Sequence, residues 1–433
     1  MEKERKLLHE EGEGHRNPFA LAVLSLLVGA VAGVVGAVFR IALFHLDVRR
    51  TVWIGRAHHL GWIGILLVVA GTTLAAAVAA WMVRRFSPES SGSGIPYVER
   101  QLRERWIGNH FPIVIVKFIG GLMAIGSGLA LGREGPTIQI GAGIGHLLGR
   151  AFRRNENERR VLLAAGAGAG LATAFNAPIA GAIFVLEELV AGFDVPISIA
   201  TLGASAGAIG IARLMLGDQP DFYVAVMKQF EVGKIFGHLV LGTVLGFAGV
   251  FYNRLILGAI ALQGKISRIA VEWRAAMIGA LIGILGWFFP TWIGGGDNLT
   301  QQALSGGHVV YGMIAIIFLV RFVLGPISYS AETPGGLFAP MLTIGSQGGL
   351  LVGWAWSHAF GSGPFLPTEF AIVGMAALFT SVVRAPVTGI ILVIELTGTF
   401  GLLLPMLTAS FAAMTVATLM KQEPIYDSLR VVR

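Results

Sequence analysis

The chain has 433 residues, 55% of them hydrophobic and 13% charged, with a mean hydropathy of +0.73, where an ordinary soluble domain carries roughly 25% charge. That shortage of charge excludes a soluble globular protein and points to a polytopic membrane protein. Cysteine is absent, which removes disulfides, thiolate metal sites and cysteine nucleophiles. The formal net charge is +7, but Lys and Arg fall in short clusters at the ends of apolar blocks (Arg49 and Arg50, Arg84 and Arg85, Arg153 and Arg154, Arg159 and Arg160). This is flanking charge that sets orientation, and no nucleic-acid partner is expected.

Nine charged residues crowd into residues 1–16, read as a charged cytoplasmic N-terminal segment. It is too acidic, and the apolar run after it too long, for a cleaved signal peptide with its core of roughly 7 to 15 residues. Residues 17–433 are expected to form a single transmembrane domain. With about 20 apolar residues needed per crossing, spans are predicted near 17–46, 60–83, 111–131, 161–191, 196–216, 234–262, 275–293, 309–329, 337–360, 370–398 and 400–420. Several are too long or too glycine-rich to be one simple span. The pieces 137–149 and 340–353, preceded by Gly and Pro, are predicted to be half-helices that stop inside the membrane. Glycine supplies 60 residues, about twice the usual ~7%, which in a bilayer favours close helix contacts and broken helices.

An internal repeat runs through the chain. At an offset of 204, Lys117 and Phe118 match Arg321 and Phe322, Gly121 matches Gly325, and Pro136, Ile140, Gly141, Gly145 and Gly149 match Pro340, Ile344, Gly345, Gly349 and Gly353. At an offset of 208, Ala177, Pro178, Gly181, Ile183, Val185 and Glu187 match Ala385, Pro386, Gly389, Ile391, Val393 and Glu395. The halves are about 17–216 and 217–433. Duplicated halves with Gly- and Pro-interrupted segments at matching places are the pattern of transporters with a site at the repeat interface. The residues alone leave open whether the halves are inverted.

The segment LGREGPTIQIGAGIG (131–145) sets Arg133 and Glu134 between glycines in an apolar stretch. A mid-membrane charge costs about 2.5 to 3.5 kcal/mol on insertion scales, so Glu134 must face a partner, a helix N-terminus or water. Glycine on both sides, including Gly135, lets backbone N–H groups approach an anion, and the following helix adds its positive end. The loop is a candidate anion cradle, with a surface Arg–Glu pair as the plainer alternative. SSGSGIPYVE (90–99) and ETPGGLFAPMLTIG (332–345) share that grammar. Ser93 offers a hydroxyl and Leu337 and Phe338 offer amides, unless each loop is only an ordinary N-cap. Three such loops could aim three helix N-termini at one point.

Glu187 and Glu188 end the apolar block 164–190; about 100° apart on a helix, at most one should face the interior. Desolvation favours the neutral form of a carboxyl group, so a buried one can carry a proton near neutral pH. Glu395, the repeat mate of Glu187, is read as structural. The ten histidines show no HxxxH or HExxH spacing, so no metal or other cofactor is expected. No nucleophile–base pair and no GxxxxGK[ST] loop is present, so an intramembrane enzyme is disfavoured. Tyr426, in PIY (424–426), could donate a hydrogen bond into the membrane or serve as an interfacial aromatic.

Together these motifs resemble the CLC family of chloride channels and chloride/proton antiporters: GSGIP (92–96), GREGP (132–136), FNAPIAGAIFVLEE (175–188), GGLFAP (335–340) and PIY (424–426), in the family's order. The resemblance covers nearly the whole chain beyond residue 17. It implies an all-α fold of two inverted repeats with tilted and broken helices, a homodimer in the cell inner membrane, and chloride and protons as substrates. It implies that Ser93, Leu337, Phe338 and Tyr426 bind chloride, that Glu134 is the gating glutamate and that Glu188 transfers protons. Gly92, Gly94, Arg133, Gly135, Lys117 and Glu99 support them, with Lys117 pairing with Glu99. A carboxylate at 188 favours exchange, with a passive gated anion channel on the same scaffold as the alternative. Ser93 favours chloride over nitrate, and the intact motifs argue against the fluoride-selective branch. Tyr97 stands where many relatives have an acid, and Glu332 where they have a small residue; an extra carboxylate there repels anions unless it is paired or points outward. The sequence ends seven residues after Tyr426 and is read as lacking the family's cytoplasmic regulatory pair.

Overall fold

The computed structural model describes residues 18–104, 108–224, 235–266, 268–306, 310–361 and 366–432; the charged segment 1–16 lies outside the described residues. Among those residues there are seventeen α-helices and no extended strand. The first half holds α1 (Pro18–His58), α2 (Trp62–Phe86), α3 (Ile95–Glu104), α4 (His110–Gly126), α5 (Glu134–Ala151), α6 (Glu156–Phe175), α7 (Pro178–Phe184) and α8 (Val195–Leu216). The second holds α9 (Ile235–Lys265), α10 (Val271–Phe288), α11 (Asp297–Leu304), α12 (Tyr311–Tyr329), α13 (Phe338–Phe360), α14 (Leu366–Val383), α15 (Pro386–Thr397) and α16 (Leu403–Leu419), followed by α17 (Ile425–Val432). Among the described residues, seven helical segments are long and apolar enough to cross a bilayer. Outward side chains such as Leu74 and Phe411 are two-thirds exposed, which suits lipid.

The two long apolar runs divide where the backbone forces them to. Run 161–191 breaks at Asn176, with φ of 50°, and Pro178; run 370–398 breaks at Arg384, with φ of 71°, and Pro386. A left-handed residue followed by a proline cannot continue a helix. The pieces expected at 137–149 and 340–353 belong to α5 and α13, which run for 18 and 23 residues, and the ends that lie inside the protein are their starts, since Glu134 and Phe338 are fully buried. The first span is longer than its apolar core: α1 continues through the charge-bearing stretch 45–58 for 41 residues in all.

Packing reveals the relation of the halves. Helix α1 lies along α8 and α9 along α16, α5 along α6 and α13 along α14, while α2 meets α10 and α7 meets α15 across the halves. Direction follows from the ends. Arg84 near the end of α2 pairs with Glu272 at the start of α10 at 2.6 Å. Glu187, just past α7, accepts from the N–H groups of Val387 and Thr388 at the start of α15 at 3.0 and 2.6 Å. Glu395, near the end of α15, accepts from Ile179 and Ala180 at the start of α7 at 3.0 and 2.8 Å. In both pairs the helix of one half runs antiparallel to its partner in the other, as inverted halves require. The glutamates satisfy orphan N-terminal donors of the opposite half. Close glycine pairs let the helices approach: a Cβ on Gly141 would strike the carbonyl of Gly166, and one on Gly345 that of Gly374.

Candidate functional site

The three glycine loops meet. Gly92 N–H donates to the carbonyl of Thr333 at 3.1 Å and Gly335 N–H to that of Gly92 at 3.0 Å; Gly132 and Gly336 exchange two such bonds at 2.9 and 2.7 Å. Gly135 must lack a side chain, because a Cβ there would lie 2.7 Å from the carbonyl oxygen of Ser93 and 3.0 Å from Gly336 Cα. Gly94 must be glycine for another reason, its φ of 79°, a region that costs other residues roughly 1 to 2 kcal/mol.

These bonds turn the starts of α3, α5 and α13 toward one buried place. Glu134 opens α5, and its Oε1 accepts from Phe338 N–H, the first residue of α13, at 2.6 Å; its Oε2 is buried with no hydrogen-bond partner among the described residues. A Cβ on Gly132 or Gly336 would collide with that carboxylate. Helix N-termini carry partial positive charge and unsatisfied N–H groups, so they suit an anion, and here the protein's own carboxylate takes that position. Leu337, just before α13, is fully buried beside it.

Ser93 is fully buried. Its Oγ accepts from Ile95 N–H at 3.3 Å and from the Tyr329 hydroxyl at 3.4 Å. With both lone pairs engaged, the hydroxyl proton is left to donate elsewhere. The Tyr426 hydroxyl, at the start of α17, is buried with no hydrogen-bond partner among the described residues, and its ring lies 6.1 Å from that of Phe338. Lys117 is buried on α4 and donates to the Gly92 carbonyl at 2.6 Å. Glu99 Oε1 accepts from Arg430 at 2.7 Å and faces Arg103 at 2.8 Å, so each has a partner besides the one the resemblance implied.

Past α7 the chain forms a wide π turn over Val185–Leu189, with Val190 N–H donating to Val185 at 2.9 Å. Such turns are rare and splay neighbouring side chains. Glu187 points across to α15, while Glu188 lies within electrostatic reach of Glu99, Asp427 and Arg103. Glu188 lies ten residues beyond Pro178, within that turn.

Both departures find a place. Glu332 pairs with Arg274 on α10 at 3.2 Å, which neutralises the extra carboxylate, although its φ of 57° explains why a small residue is the easier choice. Tyr97 accepts from Gln101 at 3.1 Å.

Sequence reasoning missed the outer charges. Arg133 donates to the Ala174 carbonyl at 2.9 Å, to Asp297 at 3.0 Å and to Asp221 at 3.0 Å, and Asp221 also accepts from Arg40 at 2.8 Å. Arg40 carried a visible signal, a charge inside the first apolar run. Asp297 follows three glycines; Asp221, in a short loop, carried none. Tyr329, an ordinary aromatic at a helix end in the sequence, is brought to Ser93 only by folding.

Inverted membrane halves that converge buried helix N-termini on one carboxylate and one hydroxyl define a transport protein built around its repeat interface. The chain belongs to the voltage gated chloride channel family, whose model matches residues 75–418. It is 36% identical over 424 residues to the H(+)/Cl(-) exchange transporter ClcA of Cronobacter sakazakii and 38% over 426 residues to that of Vibrio cholerae, in each case covering 96% of this chain and 90% of the relative. Among solved structures it is similar to a slow cyanobacterial Cl-/H+ antiporter, with a TM-score of 0.91 and 31% identity over 95% of this chain and 97% of that one. A eukaryotic CLC transporter shares the fold at a TM-score of 0.80 and 21% identity, over 95% of this chain and 73% of that one. The chain is a multi-pass membrane protein.

Proposed function

We propose that the chain is a secondary active chloride/proton antiporter, a homodimer in the cell inner membrane with one transport domain of two halves per subunit. The single observation that carries this is the 2.6 Å bond from Phe338 N–H to Glu134 Oε1: an ionisable side chain holds the position built for the anion. When ionised, Glu134 occupies the positive ends of α5 and α13 and excludes chloride. When protonated it loses its claim on those donors and swings away, and chloride takes the amides of Leu337 and Phe338. The free hydroxyl protons of Ser93 and Tyr426 complete its shell. Neutral donors hold the ion without trapping it. Anion entry and proton uptake on Glu134 are therefore linked, and linkage is reciprocal.

Glu188 exchanges protons with the cytoplasm, and the ring of Glu99, Arg103, Asp427 and Arg430 sets its local field. The names of the relatives, exchange transporters rather than channels, favour this reading. In liposomes given a chloride gradient the protein should drive protons uphill, and Glu188→Gln should abolish that movement while chloride still passes. Chloride flux with no proton movement by the unmodified protein would overturn the exchange reading.

A further inference from the structure

A cavity of about 240 Å³ lies at the Arg133 end of the site, lined by Gly132, Ala339 and two arginines, each tied to an aspartate. Arg50 pairs with Asp47, and Arg133 with Asp297 at 3.0 Å. The cavity's formal charges therefore cancel. The two aspartates that hold Arg133 differ. Asp221 is 9% exposed at its side chain and clamped between Arg40 and Arg133, whereas Asp297 is 47% exposed, engages only Arg133 among the described ion pairs and lines the cavity. Asp221 is built in; Asp297 stands in the mouth. It opens α11 directly after Gly296, and it lies within electrostatic reach of Glu134 as well as of Arg133.

We infer that Asp297 is a tethered anion competitor: it holds the Arg133 guanidinium that an incoming chloride would otherwise meet first, and so sets a low affinity for chloride on this side. The guanidinium fork has fixed donors, and one arm spent on Asp297 is unavailable to the cavity. A mouth of balanced charge does not concentrate anions, while one with net positive charge does. Asp297 acts through Arg133 and touches no substrate, which makes it a positioning residue.

The inference rests on the antiport reading for the identity of the ion. Asp297→Asn keeps an acceptor for Arg133 and removes the charge. In reconstituted liposomes its KM for chloride should fall about three-fold, by more than the maximal rate changes. Added impermeant salt should shrink the difference, since exposed charges are screened. Asp297→Glu should restore the original KM, and Asp297→Ser repeats the comparison should the Asn variant fail to fold. Calorimetric chloride titration in detergent should rank the variants the same way whether or not protons move, so loss of the antiport reading leaves this test standing. An unchanged KM in the uncharged variants, or equal shifts in Asp297→Asn and Asp297→Glu, would overturn the inference.

Discussion

Gly92 and Gly94, before α3, take φ values of 62° and 79°, and Gly294 and Gly296, before α11, take 78° and 102°. In both loops a buried cation on a following helix donates to the carbonyls: Lys117 to Gly92 at 2.6 Å, Arg321 to Gly294 at 2.6 Å and to Gly295 at 2.8 Å. The backbones are twins, yet their helices begin differently. The first loop carries Ser93 and opens into the neutral Ile95 and Pro96, and its hydroxyl reaches the central site. The second has Gly295 in place of the serine and opens into Asp297, whose own carboxylate sits at the helix start. Glycine loops and helix ends make a place an anion could use; the side chains of the first turn decide whether it stays available.

Substitutions can press on that difference. The largest effect is expected from Gly94→Ala, where the left-handed φ costs about 1 to 2 kcal/mol and the new Cβ runs into Gln139, displacing Ser93 from the centre. Thermal stability and chloride flux should both fall. Gly296→Ala meets a comparable clash, with Arg321 only 2.8 Å from the new Cβ, and should lose stability while keeping more of its flux per folded molecule. Equal loss of flux in the two would erase the distinction between the loops. Next comes the carboxylate at each position. Lower pH protonates Glu134 and frees the anion position, so flux through the unmodified protein should rise as pH falls. Glu134→Gln should be fast and flat with pH, whereas Asp297→Asn should keep the slope; flux profiles across pH separate them. Ser93→Ala removes one neutral donor, worth about 1 kcal/mol, and should weaken chloride binding by roughly five-fold in calorimetry. The smallest effect is expected from Gly295→Ser, which places a hydroxyl in the second loop and should leave chloride affinity within error.

Much of the site was readable because it is local. Glu134 between two glycines, Ser93 between two more, and the GGLFAP loop each announce a helix start, and the matching of 117–149 with 321–353 announced the repeat. Less readable was anything that depends on who meets whom. The Arg–Glu pair considered for residues 133 and 134 does not describe the site. Arg133 turns outward to Asp221 and Asp297 while Glu134 turns inward to Phe338. The two residues share a loop but face different elements. Of Glu187 and Glu188, the first turns to the start of α15, and that cap required the second half to be in place.

By itself the sequence determined that this is a helical membrane protein of two related halves, because hydropathy, glycine spacing and proline breaks act within a few residues of where they stand. Only the tertiary structure decided that the halves run in opposite directions, that three helix starts and the last tyrosine share one buried place, and that Arg133 is already occupied by two aspartates. Those outcomes depend on the orientation of rigid helices packed against one another, and that is fixed by contacts between residues 40 to more than 300 positions apart.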